Sequence, residues 1–237
     1  MLTQHVTHDA RTDDGAGVVV VAAGSGTRLG ADRPKALVEV AGATLLEHAL
    51  VGATGSGAGH VVVVAPADHL AQAEGVVARV RTQAVLTVVP GGAERTDSVA
   101  AGLAALPPGL DVVLVHDAAR CLAPASLFER VTAAVRAGAA GAVPGLAVVD
   151  TIKVVDERGA ITATPARASL RAVQTPQGFR ADLLRAAHAT GVQATDDAAL
   201  VEALGHEVLV VEGDERALKV TTVEDLRRVE RWLVEGR

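Results

Sequence analysis

The chain has 237 residues, with 22 basic and 28 acidic side chains, so its formal net charge of -6 gives no global field to draw in nucleic acid or an anionic membrane surface. Aromatic residues make up 1% and Tyr is absent, which excludes the aromatic platforms that usually hold single-stranded nucleic acid. No apolar run reaches the ~18 residues of a membrane span, and a single Cys121 can form no internal disulfide. These features predict a soluble, cytoplasmic protein without nucleic-acid or membrane partners. Residues 1–16 carry His, Asp and Thr without an apolar signal core, so they read as a disordered start, and 17–237 as one domain.

Val18-Val19-Val20-Val21-Ala22 is the β-branched run of a strand buried on both faces. It feeds Gly24-Ser25-Gly26-Thr27-Arg28-Leu29-Gly30, with Pro34-Lys35 beyond. A glycine turn at this place leaves backbone N–H groups open to an anion, and two cations stand beside it, so the stretch reads as a phosphate cradle. Its spacing, G-x-G-x-x-x-G, is neither the dinucleotide pattern nor a Walker loop.

Thr44 then reads as the N-cap of a helix through Leu50. Val61 to Val64 is a second strand, Asp68 to Arg81 a helix and Val85 to Val89 a third strand. That strand ends in a second glycine turn, Gly91-Gly92-Ala93-Glu94-Arg95, opening a helix that carries Ser98. Arg95 is compatible either with a ligand or with plain exposure to water.

Val112 to Val115 is a further buried strand, ending in His116-Asp117-Ala118-Ala119-Arg120. A carboxylate at the carboxyl end of a central strand suits Mg²⁺, which takes one or two carboxylates and completes its shell with phosphate and water. Asp117 is therefore the metal candidate, with capping or pairing to Arg120 as its other reading; His116 reads as structural. A helix follows from about Pro124 to Ala137, and an Ala-Gly tract then leads into Val143-Pro144.

From Asp150 the alternation breaks. Asp150 to Val155 and Ala160 to Thr164 read as a hairpin about the turn Asp156-Glu157-Arg158-Gly159. A two-stranded ribbon is marginal alone, so the arm at about 148–174 is expected to pack on another subunit. Beyond it come Gln174-Thr175-Pro176-Gln177, a helix after Phe179, a cap-like Ala194-Thr195-Asp196-Asp197, a strand from His206 to Val211, and a terminal helix from Val223 to Glu235. The fold predicted is a three-layer, Rossmann-like α/β structure: a mixed, mostly parallel sheet with helices on both faces and a protruding β-arm.

Two glycine turns, a strand-end Asp and the cations Arg28, Lys35, Arg167 and Lys219 describe a site for a polyphosphate and a second anion. No histidine or thiol is posed as a nucleophile. A phosphate monoester, ionised at neutral pH because its second pKa is ~6, could attack without a general base.

Ala22 to Gly30 with Pro34-Lys35 resembles the signature of nucleotidyltransferases of the glycosyltransferase-A-like fold. Together with Gly91-Gly92 to Ser98, His116 to Arg120, Asp150-Thr151-Ile152-Lys153, Gln174 to Gln177 and Lys219-Val220-Thr221, the chain resembles the 2-C-methyl-D-erythritol 4-phosphate cytidylyltransferase family from Val18 to about Leu233. The resemblance implies transfer from CTP to methylerythritol phosphate, in the non-mevalonate isoprenoid pathway. It implies that Ala22, Ala23, Gly24, Ser25 and Gly26 cradle the triphosphate, that Arg28, Lys35 and Lys219 stabilise charge at the α-phosphate, and that Gly92 and Ser98 contact cytosine and ribose. Asp117 would bind Mg²⁺. Arg120, Thr151, Arg167, Thr175 and Thr195 would hold the polyol phosphate, with Thr151 and Arg167 offered across a homodimer interface by the arm. The chain departs from relatives at Ala93, where they often carry an acidic or polar side chain, and at Arg216-Ala217-Leu218, which leaves a second metal ligand open. A cytidylyltransferase for a pentitol phosphate such as ribitol 5-phosphate is the nearest alternative. A non-catalytic nucleotide-binding regulator and a dinucleotide oxidoreductase are the remaining ones, the last disfavoured because Ala65-Pro66 replaces the acidic residue a ribose would need.

Overall fold

The computed structural model describes residues 13–24 and 33–236. β1 (Asp13–Val21) is the central parallel strand, with Val18 opposite Val61 of β4 (Ala58–Ala65) on one side and Leu114 of β6 (Val112–Asp117) on the other. The β-branched residues that run through it point alternately to the two faces. Val18 and Val20 enter one apolar cluster and Val19 enters the other, so the valine run of this strand serves two helical layers at once. β1 begins at Asp13, so residues 13–16 of the expected start are strand.

Between these strands, β2 (Glu39–Val40) and β3 (Ala43–Thr44) form a small hairpin, and α1 (Leu45–Gly55) starts where the Thr44 hydroxyl accepts from the Glu47 N–H at 3.1 Å. The next helix, α2 (Leu70–Val77), stops four residues short of the predicted end, and β5 (Val85–Pro90) closes that edge of the sheet in parallel with β4. α3 (Arg95–Ala105) lies on the face of Val19, close enough that a Cβ on Gly102 would meet Val19 Cγ1 and stand 2.9 Å from Val64 Cγ2. α4 (Ala125–Arg136) packs on the opposite face through Leu127, Phe128 and Val131.

The second half departs from simple alternation. The sequence reading left 141–147 unassigned, yet β7 (Gly141–Ala147) is a strand with Pro144 inside it. It pairs antiparallel with β10 (Arg171–Val173) and β11 (Gln177–Arg180), and in parallel with β12 (Val208–Glu212). β11 also runs antiparallel to β6, which makes the sheet mixed. The predicted hairpin is present but short: β8 (Val154–Val155) and β9 (Ile161–Ala163), with 150–153 outside any strand. α5 (Ala181–Ala189) and α6 (Asp197–Ala203) cover the α3 face, and α7 (Val223–Glu235) joins the α4 face. Trp232 packs against that cluster, its ring 4.7 Å below the Arg228 guanidinium carbon. Among the described residues, no helix is long and apolar enough to cross a membrane.

Candidate active site

A cavity of about 410 Å³ opens at the carboxyl ends of β1, β5 and β6. The strand order carries the chain's two glycine turns to one place, because β1 lies between β4 and β6, and β5 lies beside β4. The cavity is lined by Ala22, Ala23 and Gly24 from the first turn, Gly92 and Ser98 from the second, Lys35, Asp117 and Lys219. Ser25, Gly26 and Arg28 lie outside the described residues.

The two turns touch. A Cβ on Gly91 would stand 2.8 Å from both Ala23 Cβ and Ser98 Oγ, so only glycine lets these loops approach as they do. Ser98 Oγ, buried at the base, accepts from the Gly92 N–H at 3.2 Å and fixes the second turn. Lys35 closes the first: its N–H donates to Gly24 O at 3.3 Å, while its Nζ reaches Val220 O at 3.1 Å.

Asp117 ends β6 at the cavity floor. Lys219 Nζ lies 2.7 Å from its Oδ2 and Arg95 Nε 3.5 Å from its Oδ1. Burial alone would raise this carboxyl's pKa; Arg95, Lys219 and Arg120 outweigh it and hold the group down to about 2. The carboxylate is thus ionised at any ordinary pH and pairs with Lys219 and Arg95, where the sequence suggested Arg120. Its own N–H donates to Thr175 Oγ1 at 3.0 Å, and that hydroxyl stands 3.2 Å from His116 Nδ1. His116 is buried against Phe128, and burial pushes its pKa down to about 4, so it is a neutral packing residue. Cys121 is likewise buried, its thiol pushed up to about 12 by burial.

The segment that presents Lys219 is braced from three sides. Gln174 Nε2 donates to Asp214 O at 2.8 Å while its Oε1 accepts from Asp214 N at 3.0 Å. Arg120 Nη1 donates to Ala217 O at 2.7 Å, and Val220 N donates to Ala119 O at 2.8 Å. A flexible lysine gains a fixed origin this way, which limits the entropy lost when it meets an anion.

The expected acceptor residues are not gathered in the cavity of one chain. Thr175 is buried beneath Asp117, and Arg120 spends its Nη atoms on Ala217 O and Val173 O. Thr151, Arg167 and Thr195 are exposed and lie outside the described cavity lining, with Arg167 Nη1 donating to Val149 O at 2.6 Å. The helix cap expected around Thr195 belongs to Asp196, which accepts from Ala199 N at 3.1 Å.

Sequence reasoning left Arg95 open, and the structure brings it into the cavity. It is the first residue of α3, where the helix macrodipole disfavours a cation, and it is held there by two carboxylates, Asp117 and Asp197. A basic residue at that unfavourable position was the signal. Burial draws its pKa down, and Asp197 with Asp117 raises it further, leaving it above the ordinary value.

Glycine turns, a strand-end carboxylate and convergent cations at the carboxyl edge of a mixed sheet define a nucleotide-binding α/β protein built for charge stabilisation rather than for a protein nucleophile. The model of the 2-C-methyl-D-erythritol 4-phosphate cytidylyltransferase family matches residues 16–235. The protein of that name from Nocardia farcinica is 51% identical over 227 residues, covering 95% of this chain and 97% of the relative. A bifunctional enzyme IspD/IspF from Clavibacter michiganensis is 56% identical over 229 residues, covering 92% of this chain, which spans 56% of that longer relative. The crystal structure of the cytidylyltransferase from Thermus thermophilus superposes with a TM-score of 0.72 at 38% identity, covering 90% of this chain and 97% of that one. The chain belongs to the 2-C-methyl-D-erythritol 4-phosphate cytidylyltransferase family.

Proposed function

We propose that the chain transfers the cytidylyl group of CTP to 2-C-methyl-D-erythritol 4-phosphate, giving the CDP-linked alcohol and pyrophosphate on the non-mevalonate route to isoprenoids. The observation that carries this reading is the gathering of both glycine turns, Asp117, Lys35 and Lys219 around one cavity in a chain of this family. An oxygen of the acceptor phosphate attacks the α-phosphorus, a P–O bond forms, and the bond to pyrophosphate breaks. Since that oxygen is already ionised, the task is to offset repulsion between anions. Lys35 and Lys219 face it from two braced segments. Gly92 and Ser98 sit where the nucleoside would be read, and Ala93 can offer only its backbone there.

The donor set suits a divalent cation. Asp117 is ionised and its side chain is 12% exposed, while Arg95 approaches Oδ1 only at 3.5 Å. An ion that takes one carboxylate and fills its shell with phosphate and water, as Mg²⁺ does, needs from the chain only Asp117. Bound at Asp117, Mg²⁺ would neutralise charge on the triphosphate.

The acceptor side is completed by a second copy of the chain. The arm and its flanks expose Val149, Ile152, Val154, Val155 and Ile161, and they carry Thr151 and Arg167. An isologous dimer would cover that surface and bring each arm to the partner's cavity. A reaction that draws on CTP supports the expected cytoplasmic location. The test is pyrophosphate release from CTP and Mg²⁺ with each alcohol phosphate in turn. Release with methylerythritol phosphate and not with ribitol 5-phosphate is expected; the reverse would assign the pentitol reading, and no release with either would overturn both.

A further inference from the structure

Behind Asp117 lies a chain of charges that the transfer chemistry does not itself use. Arg95 reaches the cavity carboxylate with Nε at 3.5 Å and the buried Asp197 with Nη1 at 2.8 Å. Asp197 is 1% exposed and lies 2.9 Å, through Oδ1, from Nε2 of the equally buried His188. The two contacts of Arg95 are unequal, and the shorter one points away from the cavity. A buried aspartate is costly unless paired, and Asp197 finds its partners in Arg95 and His188 on neighbouring helices. Two further bonds fix its position: Gln177 Oε1 accepts from Ala198 N at 3.2 Å, and Gln177 Nε2 donates to Asp196 Oδ2 at 3.1 Å.

We infer that Asp197 is a positioning residue: by anchoring Arg95 at the rear of the site, it holds the guanidinium to a single long contact with Asp117 and so keeps Oδ1 of that carboxylate accessible to a divalent cation. Arg95 has the fork geometry to bind a carboxylate through two nitrogens, and without Asp197 its nearest carboxylate is Asp117. It would then compete with the cation for the same oxygens. With Asp197 in place the guanidinium remains a fixed neighbouring charge at the cavity wall.

This inference rests on Asp117 being the cation's ligand, and the experiment separates the two ideas. Mn²⁺ binding to the full chain with CTP present and no acceptor is followed by electron paramagnetic resonance. Asp197→Asn is expected to weaken Mn²⁺ binding by about 10-fold, the scale of a lost supporting partner. Arg95→Gln is expected to bind Mn²⁺ no more weakly than the parent. The double variant D197N/R95Q is expected to recover most of what D197N loses, because the competitor is gone; a purely structural Asp197 would leave the double variant as weak as the single. Should D197N fail to fold, R95Q alone decides, since a 10-fold loss there would make Arg95 a supporter of the site and overturn the inference. Unchanged binding in a folded D197N would overturn it too. A parent that binds no Mn²⁺ would overturn the metal reading and this inference with it.

Discussion

The cavity floor and the arm are opposites in construction. At the floor the described working groups are answered before any ligand arrives: Asp117 by Lys219, Arg95 and Thr175, Lys35 by Val220, and the Lys219 segment by Gln174 and Arg120. The arm has two strands of two and three residues, and its turn is held mainly by Asp156, whose Oδ1 accepts from Arg158 N and Ala160 N. Its apolar side chains face outward, with Val149 82% and Ile161 62% exposed. One region is preorganised for charge and the other waits for a surface. The difference separates a braced cavity, formed within one chain, from an exposed apolar arm that the proposed dimer would cover.

The sharpest way to break the comparison is to remove charge from the floor. Lys35→Ala is expected to lower kcat by about 100-fold or more with a much smaller change in the KM for CTP, because the cation acts on charge that develops in the transition state. Steady-state pyrophosphate release measures both, and an unchanged kcat removes Lys35 from the chemistry. Asp117→Asn should reduce turnover by a comparable order and blunt its Mg²⁺ dependence; full activity of the parent in EDTA would refute the metal reading.

A subtler change tests whether preorganisation itself matters. Thr175→Val keeps the volume but leaves the Asp117 N–H without its acceptor, at a cost of about 1–3 kcal/mol in a urea melt. On the arm, Ile161→Asp should barely alter that melt, since the residue is exposed in the single chain, yet it should shift the sedimentation coefficient toward monomer. If it does not, the apolar arm is not the dimer surface.

A further expected effect is one of pH. His116 has a folded pKa of about 4 against 6.5 when unfolded, so protons favour the unfolded chain between those values. The stability tied to its neutral form is whole above pH 6.5 and is lost as pH falls toward 4, up to about 3 kcal/mol. His116→Asn should flatten that slope in urea midpoints taken at pH 7 and 4.5.

Much of this was legible in the sequence where one local rule decided the outcome. Val18 to Val21, Val61 to Val64 and Val112 to Val115 are strands because an unbroken apolar, valine-rich run suits a position buried on both faces. Thr44 caps α1 and the terminal helix spans Val223–Glu235 as read. β7 was hidden because Pro144 and the four small residues Gly141, Ala142, Gly145 and Ala147 weaken every local strand signal, and its pairing with β12 comes from residues more than sixty positions away. β10 and β11 are short for the same reason: tertiary pairing, not propensity, makes them strands. In the site, Asp117 and Lys35 were visible from the turns that carry them. Arg95 was ambiguous because its two partners, Asp117 and Asp197, are distant in sequence, and Asp197 itself resembled an ordinary helix cap.

The central claim is that a preorganised cavity on one chain is completed by the arm of another. Lys35→Ala damages only the cavity and Arg167→Ala only the arm, so co-refolding the two inactive variants in equal amounts should restore about a quarter of parental turnover, from one intact composite site in each mixed dimer. A mixture no more active than either variant alone, with mixed dimers demonstrably formed, would contradict the account.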